Sequence, residues 1–279
     1  TRRRCGDMRE TKRTAGQVYA DSKLAKDLYV LRQLVVKDFK LKYRRSVLGI
    51  AWSVLNPLFM MVVQSLVFTY IFRHSIENYP LYLIIGNVTF SFMSEATKSS
   101  LRSITGSASL LKKIRIDRIV FPIQKVLFAL VNYAFSLVAV ALVMIVFRVV
   151  PSWQIIFFPI ILLMLTVFCI GLAMALSAAV VFFRDVIHLW GVVITAWMYF
   201  TPIFWDFDTL VGGNAPAAII AIVNANPMNC FVTCMRDIML WHQVPSMETM
   251  ALCLVWAVVM LLFGLWVFRK NEHKFILYI

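Results

Sequence analysis

No glycine in this 279-residue chain is followed by lysine, so the GxxxxGK[ST] loop that cradles ATP phosphates is missing. Nucleotide-driven work therefore requires another subunit. No CxxC pair or Cys/His cluster has zinc spacing. The five cysteines are scattered, and although Cys230 and Cys234 share a helix face, all five read as small apolar residues. HExxH and a Ser/His/Asp arrangement are also lacking, so neither a catalytic residue nor a metal site is expected. Acidic residues are scarce, 14 against 28 Lys and Arg, for a net charge of +14. A nucleic-acid footprint would gather those cations on a soluble face, whereas here they lie between apolar runs, so no nucleic-acid partner is expected. Arg2 to Arg13 lacks the apolar core of a cleavable signal. Because the chain opens on Thr1, its start is expected to be processed or trimmed, with Met8 as an alternative start.

What is present is apolar. Hydrophobic residues make up 61% of the chain and its mean hydropathy is +0.79, more than a soluble domain of this size carries. A spanning helix needs about 20 mostly apolar residues. Five runs meet or approach that length, 47–72, 81–104, 122–147, 154–181 and 249–268, and 188–205 is a slightly short sixth. Between it and the last span, the apolar stretch Ala215 to Val223 would rise only about 14 Å as a helix. It can dip into a bilayer but not cross it.

Placing both termini in the cytoplasm puts inside the basic tail through Arg45, the cluster from Lys98 to Lys125, Arg184, and the final Arg269, Lys270 and Lys274. Arg73, Arg148 and Arg236 are left outside, among Glu77, Asp206, Asp208, Asp237 and Glu248. Six spans satisfy the positive-inside rule. The same topology places Asp206-Phe207-Asp208, which looks like a carboxylate pair for a metal-bound nucleotide sugar, on the side away from such donors.

Five basic residues fall between Lys37 and Arg45, just before the first span. Leu24, Leu28, Leu31, Val35, Phe39 and Tyr43 form one stripe of a helix, with most of the nearby cations off it. Such a helix lies along an interface. Its charges orient the first span, and Lys40, Lys42, Arg44 and Arg45 can also meet an anionic headgroup. Asn56-Pro57 inside that span calls for a protein neighbour or a water-lined cavity. The loop TGSASLLKKIRIDRIVFP (105–122) mixes apolar residues with charge, as a docking surface does. AWMYFTPIFWDFDTL and IVNANPMNCFVTCMRDIML look like Pro-broken re-entrant helices, where Arg236 and Asp237 are affordable as a neighbouring pair. Glu95 stands three residues before Lys98 and is expected to pair with it. His188 is expected at a boundary.

Together KLKYRRSVLGIAWSVLNPL (40–58), LLKKIRIDRIVFP (110–122), FFRDVIHLW (182–190), MYFTPIFW (198–205) and NPMNCFVTCMRDIML (226–240) resemble the membrane subunit of type-2 ABC exporters of lipid-linked polysaccharide, O-antigen or teichoic acid. The resemblance covers about 200 residues in the family's order. It implies an all-α polytopic protein with a basic tail over 1–22, an interfacial amphipathic helix over 23–46 and a six-span domain over 47–279. Within that domain it implies a coupling helix at 107–119 and a re-entrant region at 199–240. It further implies a homodimer in the bacterial inner membrane with two cytoplasmic ATP-binding subunits, which hold the ATP and Mg; this chain would carry no cofactor and would not be an enzyme. The substrate would be a glycan on undecaprenyl pyrophosphate. Docking of the ATPase falls on Leu110, Leu111, Lys112, Lys113, Ile114, Arg115 and Ile116, and the lipid pyrophosphate entrance on Lys40, Lys42, Arg44 and Arg45. Channel lining and the outer gate fall on Phe68, Tyr70, Phe90, Phe92, Tyr199, Phe200, Trp205 and Arg236. The alternatives are an exporter of a drug, peptide or small lipid on the same architecture, and a membrane transferase or channel needing no ATPase.

Overall fold

A computed structural model describes residues 15–44, 48–72, 76, 78–113, 116–207 and 216–278, and shows helices with no strand among them. In chain order these are α1 (Ala15–Tyr43), α2 (Ala51–Phe72), α3 (Tyr79–Ser100), α4 (Ala108–Lys113), α5 (Val120–Val146) and α6 (Phe158–Phe182). They continue with α7 (Val186–Phe200), α8 (Ala217–Asn224), α9 (Pro227–Met239), α10 (Met247–Asn271) and α11 (Phe275–Tyr278). The chain is an all-α, multi-pass membrane protein.

Among the described residues four helices have the length and apolarity to cross a bilayer: α2, α5, α6 and α10. Two expected spans differ from these for physical reasons. α3 has 22 residues, enough length, but it carries Glu95 and Lys98 and packs against α2, α5, α6 and α9, so protein replaces lipid around it. α7 has only 15 residues, about 22 Å of rise against a hydrocarbon core of about 30 Å. It stops at Phe200 because Pro202 pushes Thr201 into an extended conformation, and a turn over 201–205 follows. α8 and α9 meet at 69°; this bent pair falls within the expected re-entrant region of 199–240, with the bend at Pro227 inside the second of the two expected segments.

The tightest packing joins α6 to α10. A Cβ on Gly171 would fall on the backbone of Met260 and Leu261, and one on Gly264 would fall on the backbone of Gly171. Close backbone approach of this kind holds spans together where no hydrophobic force distinguishes helix from lipid. Asn226 caps α9 by accepting from Met228 N, with Pro227 next to it, and Ser246 caps α10 by accepting from Thr249 N.

One end of the bundle holds α1, α4 and α11. The expected interfacial helix of 23–46 is longer, beginning at Ala15. Its packed face, half-buried at Leu31, Leu34, Val35, Asp38, Phe39 and Tyr43, lies against α5, with the Phe39 and Phe135 rings 5.8 Å apart. Leu28, on the expected stripe, stays exposed. The expected helix of 107–119 contracts to the six residues of α4; Ile114 and Arg115 lie outside the described residues, as do Arg45 and Asp208. Leu111 and Ile119 pack on a buried cluster of Ile104, Met174, Ala178, Val181, Phe268 and Phe275, so part of this loop anchors to the bundle instead of facing out. Arg118 donates to the Glu272 carbonyl, and Arg269 lies 3.9 Å from Asp117, tying the loop to the end of α10.

α2 is the least covered span. Its helix runs through Pro57, none of its 18 most apolar residues is buried, and Asn56 is exposed.

Replacing Gly264 with Leu should separate α6 from α10 and destabilise the fold by about 1–3 kcal/mol. A lower melting temperature of the detergent-solubilised protein measures this; a melting curve matching the parent would show that the close approach does not hold the spans.

Candidate functional site

At the end away from α4, the turn over 201–205 places carbonyl groups inside the protein without a helix to satisfy them. Each unpaired group there would cost several kcal/mol. Three side chains take up all four carbonyls from 202 to 205. Arg236 Nη1 donates to Pro202 O at 2.6 Å and Nη2 to Ile203 O at 3.2 Å. Tyr82 Oη donates to Trp205 O at 2.8 Å and lies 3.3 Å from Pro202 O, and Tyr79 Oη donates to Phe204 O at 2.7 Å.

Arg236 also donates through Nε and Nη2 to the Tyr82 carbonyl, at 3.3 and 3.2 Å, and its guanidinium lies 3.4 Å from the centre of the Tyr82 ring. It is 4% exposed. Taking a cation out of water costs several kcal/mol; carbonyl acceptors together with a cation–π contact worth about 2 kcal/mol when desolvated offset that cost. The expected partner Asp237 is not among its acceptors: the planar fork is directed at carbonyls. Gly86 makes room, since a Cβ there would sit 2.6 Å from Arg236 Nη2.

Asn226 closes the same turn from the other side. Its Oδ1 accepts from Trp197 Nε1 at 2.7 Å and Met228 N at 3.0 Å, while Nδ2 donates to Thr201 Oγ1 at 2.9 Å and Phe200 O at 3.3 Å. Phe68 of α2 stacks on Phe204 at 5.0 Å, so the first span is pinned to this turn as well.

The opposite end holds a second polar cluster. Glu95 of α3 accepts from Lys42 Nζ at 2.9 Å and from Asn132 Nδ2 at 2.7 Å. Tyr43 Oη donates to Asn132 Oδ1 at 3.2 Å and hydrogen-bonds Ser53 of α2. Asp38 receives Lys125 and, at 2.7 Å, Gln124 Nε2. The last two turns of α1 are thus tied to α2, α3 and α5. Glu95 pairs across 53 positions with Lys42 instead of with Lys98, which is exposed.

Among the residues proposed for a headgroup, Lys40 and Arg44 remain exposed, while Lys42 is engaged with Glu95. The aromatic set divides. Tyr199 and Phe200 are exposed on α7, Phe68 and Trp205 are half-buried, and the side chain of Tyr70 lies outside the described residues. Phe90 and Phe92 are 3% and 2% exposed. Phe92 packs on Tyr133 at 5.2 Å inside the bundle, so α3 offers neither ring to a channel. Arg236 is a clamp buried behind the turn. His188, exposed at the start of α7, faces out with Val192, Thr195 and Tyr199. Sequence reading passed over Tyr79, Tyr82 and Gly86; the spacing of YPLYLIIG, which stacks the two tyrosines 6.1 Å apart on one face of α3, was the available signal.

Comparison with known proteins places these features. The model of the ABC-2 type transporter family matches residues 29–240. An O-antigen export system permease protein RfbA of Myxococcus xanthus is 28% identical over 257 residues, covering 91% of this chain and 98% of the relative. Two proteins of the same name from Klebsiella pneumoniae are 26% and 27% identical over 254 residues, each covering 88% of this chain and 95% of the relative.

Arg236→Lys cannot serve carbonyls on two elements with a flat fork, so it should lower stability by about 3–5 kcal/mol, the cost of breaking a buried charged site. Gly86→Ala should show a smaller loss of the same kind. Proteolysis near the turn and melting temperature report both; wild-type resistance in Arg236→Lys would dismiss the clamp.

Proposed function

This chain belongs to the ABC-2 type transporter family, and we propose that it is the permease of an ABC exporter carrying lipid-linked O-antigen polysaccharide across the bacterial inner membrane. The observation that carries this reading is the near end-to-end similarity to permeases named for O-antigen export. In this reading ATP and Mg are held by a cytoplasmic ATP-binding partner, and this chain binds no cofactor.

Two copies of the chain form the path, in a six-span topology with both termini in the cytoplasm and α7 with its turn counted as a span. Supporting this, α2 carries an exposed Asn56 amide and almost no cover from its own bundle. A lone amide is tolerated in lipid only beside protein or water. Tyr199 and Phe200 on the open face of α7 supply apolar rings for sugars to pass over, and Phe68 and Trp205 stand where the outer turn gates the exit.

The undecaprenyl pyrophosphate headgroup meets Lys40 and Arg44 on the outer-facing side of α1, with Arg45 beyond them in sequence. Phosphate oxygens take charge-assisted hydrogen bonds from such cations. Lys42, already held by Glu95, fixes the helix in place.

Docking of the ATPase falls on α4 and the residues after it, Lys112 to Ile116. Leu110 is half-buried and Leu111 is seated on Ile104, Met174 and Phe268. A push on α4 is thereby passed to α6 and α10, the two spans locked at Gly171 and Gly264. Packed chains of this kind carry coupling between distant sites.

Depletion of the chain should leave lipid-linked glycan accumulating on the cytoplasmic face while surface polysaccharide disappears. Normal surface glycan with lost resistance to a drug would reject this cargo for the small-molecule alternative. Leu110→Asp should abolish copurification with the ATP-binding partner without lowering membrane insertion; retained copurification rejects the docking assignment. Lys40→Gln with Arg44→Gln should reduce ATP hydrolysis stimulated by lipid-linked glycan more than basal hydrolysis. Equal loss of both assigns the charges to orientation alone.

A further inference from the structure

Behind the clamped turn, between α9, the first turn of α10 and residues 202–207, lies a cavity of about 530 Å³. It falls within the range of roughly 300–1,000 Å³ that small-molecule sites occupy, and neither the expected channel face of α7 nor the α1 surface contributes to it. Three carboxylates line it, those of Asp206, Asp237 and Glu248. None has a hydrogen-bond partner among the described residues, although Asp206 and Asp237 are half-buried. Arg236 attracts Asp206 and Asp237 through its charge, but its N–H groups are given to carbonyls, so a hydrogen-bond donor entering the cavity would relieve the desolvation cost of these carboxylates.

The missing donor can be identified by exclusion. A metal ion finds no cluster of three acidic, Cys or His groups to hold it among the described residues. An anion is disfavoured by charge: three carboxylates line the space against the single guanidinium of Arg236, whose N–H donors are already taken by carbonyl oxygens. A purely apolar chain would leave those carboxylates unpaired. What fits is a ligand with several dispersed O–H or N–H donors and one apolar face. The rings of Phe207 and Trp241 share the wall, the latter 39% exposed, and aromatic faces pack on the C–H side of a pyranose. The side-chain amide of Asn229 and the hydroxyl of Thr249 add groups able to donate and accept.

We propose that this cavity is a saccharide subsite at the outer end of the permease, selecting neutral or amino sugars and rejecting phosphate. It rests on the glycan-export reading for the origin of its ligand, an uncharged sugar unit of the outgoing chain. The acidic lining also gives the exit a direction, since a sugar can settle there and a pyrophosphate headgroup cannot.

The test uses the full chain with its ATP-binding partner in lipid nanodiscs and ligand-observed saturation-transfer NMR. The probes are methyl glycosides of glucose, galactose, mannose, N-acetylglucosamine and glucosamine, with inorganic phosphate as competitor. At least one glycoside should bind, roughly tenfold more weakly in Trp241→Ala and in Asp237→Asn, while Trp241→Phe, which keeps a ring and the fold, should retain binding. Phosphate should not displace it. Absence of binding by every glycoside, equal binding in Trp241→Ala and Asp237→Asn, or displacement by phosphate would each overturn the subsite. Those results bear on the cavity alone: loss of binding in a chain whose depletion still strands lipid-linked glycan removes the subsite and leaves the export reading, and glycoside binding in a chain whose depletion strands none does the reverse.

Discussion

The fold depends on a way to break a helix inside a membrane without leaving its backbone unpaired. Pro202 ends α7 five residues before a spanning length is reached, and the carbonyls of 202 to 205 would each cost several kcal/mol in hydrocarbon. Arg236 meets that cost for Pro202 and Ile203 from α9 while also holding Tyr82 of α3, and Tyr79 and Tyr82 meet it for Phe204 and Trp205. A neutral donor could serve one or two oxygens. Only a planar, fixed cation with donors on several edges serves carbonyls on two elements at once, and its own burial is acceptable because the acceptors and the Tyr82 ring surround it. The clamp therefore sets where α7 ends, how α9 returns into the bundle, and where α3 sits between them.

The opposite end solves the converse problem. There a basic helix must lie beside the spans without drifting along the surface, and exposed cations alone would leave it free to do so. Asp38 and Glu95 supply the counter-charges, one from α1 toward Lys125 and one from α3 toward Lys42. Surface ion pairs contribute little singly, about 0–1 kcal/mol. The Lys42–Glu95 pair is extended through Asn132, Tyr43 and Ser53 into a network that ties α1, α2, α3 and α5 together, and Asp38 adds a separate tie from α1 to Gln124 and Lys125 of α5. Lys40 and Arg44, outside this network, stay exposed at the end of the same helix.

Much of this was legible in the sequence because local rules govern it. Apolar runs marked the helices α2, α5, α6 and α10, and the stripe from Leu31 to Tyr43 marked the packed face of α1. The parts that escaped are those set by residues far apart. Glu95 has Lys98 within reach on its own helix, and nothing local announces that Lys42 and Asn132 bind it instead. Arg236 and Asp237 invite pairing as neighbours, yet adjacent side chains on a helix diverge, and the guanidinium meets Tyr82, 154 positions away. Phe90 and Phe92 looked like channel rings because aromatics in a span can face either way; their burial follows from α3 being central, a fact of packing among five helices that no single segment encodes.

These two polar centres also explain why α6 and α10 can be joined so closely. Neither centre draws on α6 or α10, so these spans are free to pack backbone on backbone at Gly171 and Gly264. The same pair closes the cluster on which Leu111 rests. The α6–α10 pair therefore links the cluster under α4 to the cavity at the other end of the bundle, where Glu248 and Thr249 of α10 form one wall. In the proposed docking of an ATPase on α4, this closely packed pair is the contiguous path to that end, while the polar clamps at α1 and at Arg236 hold the remaining helices in register.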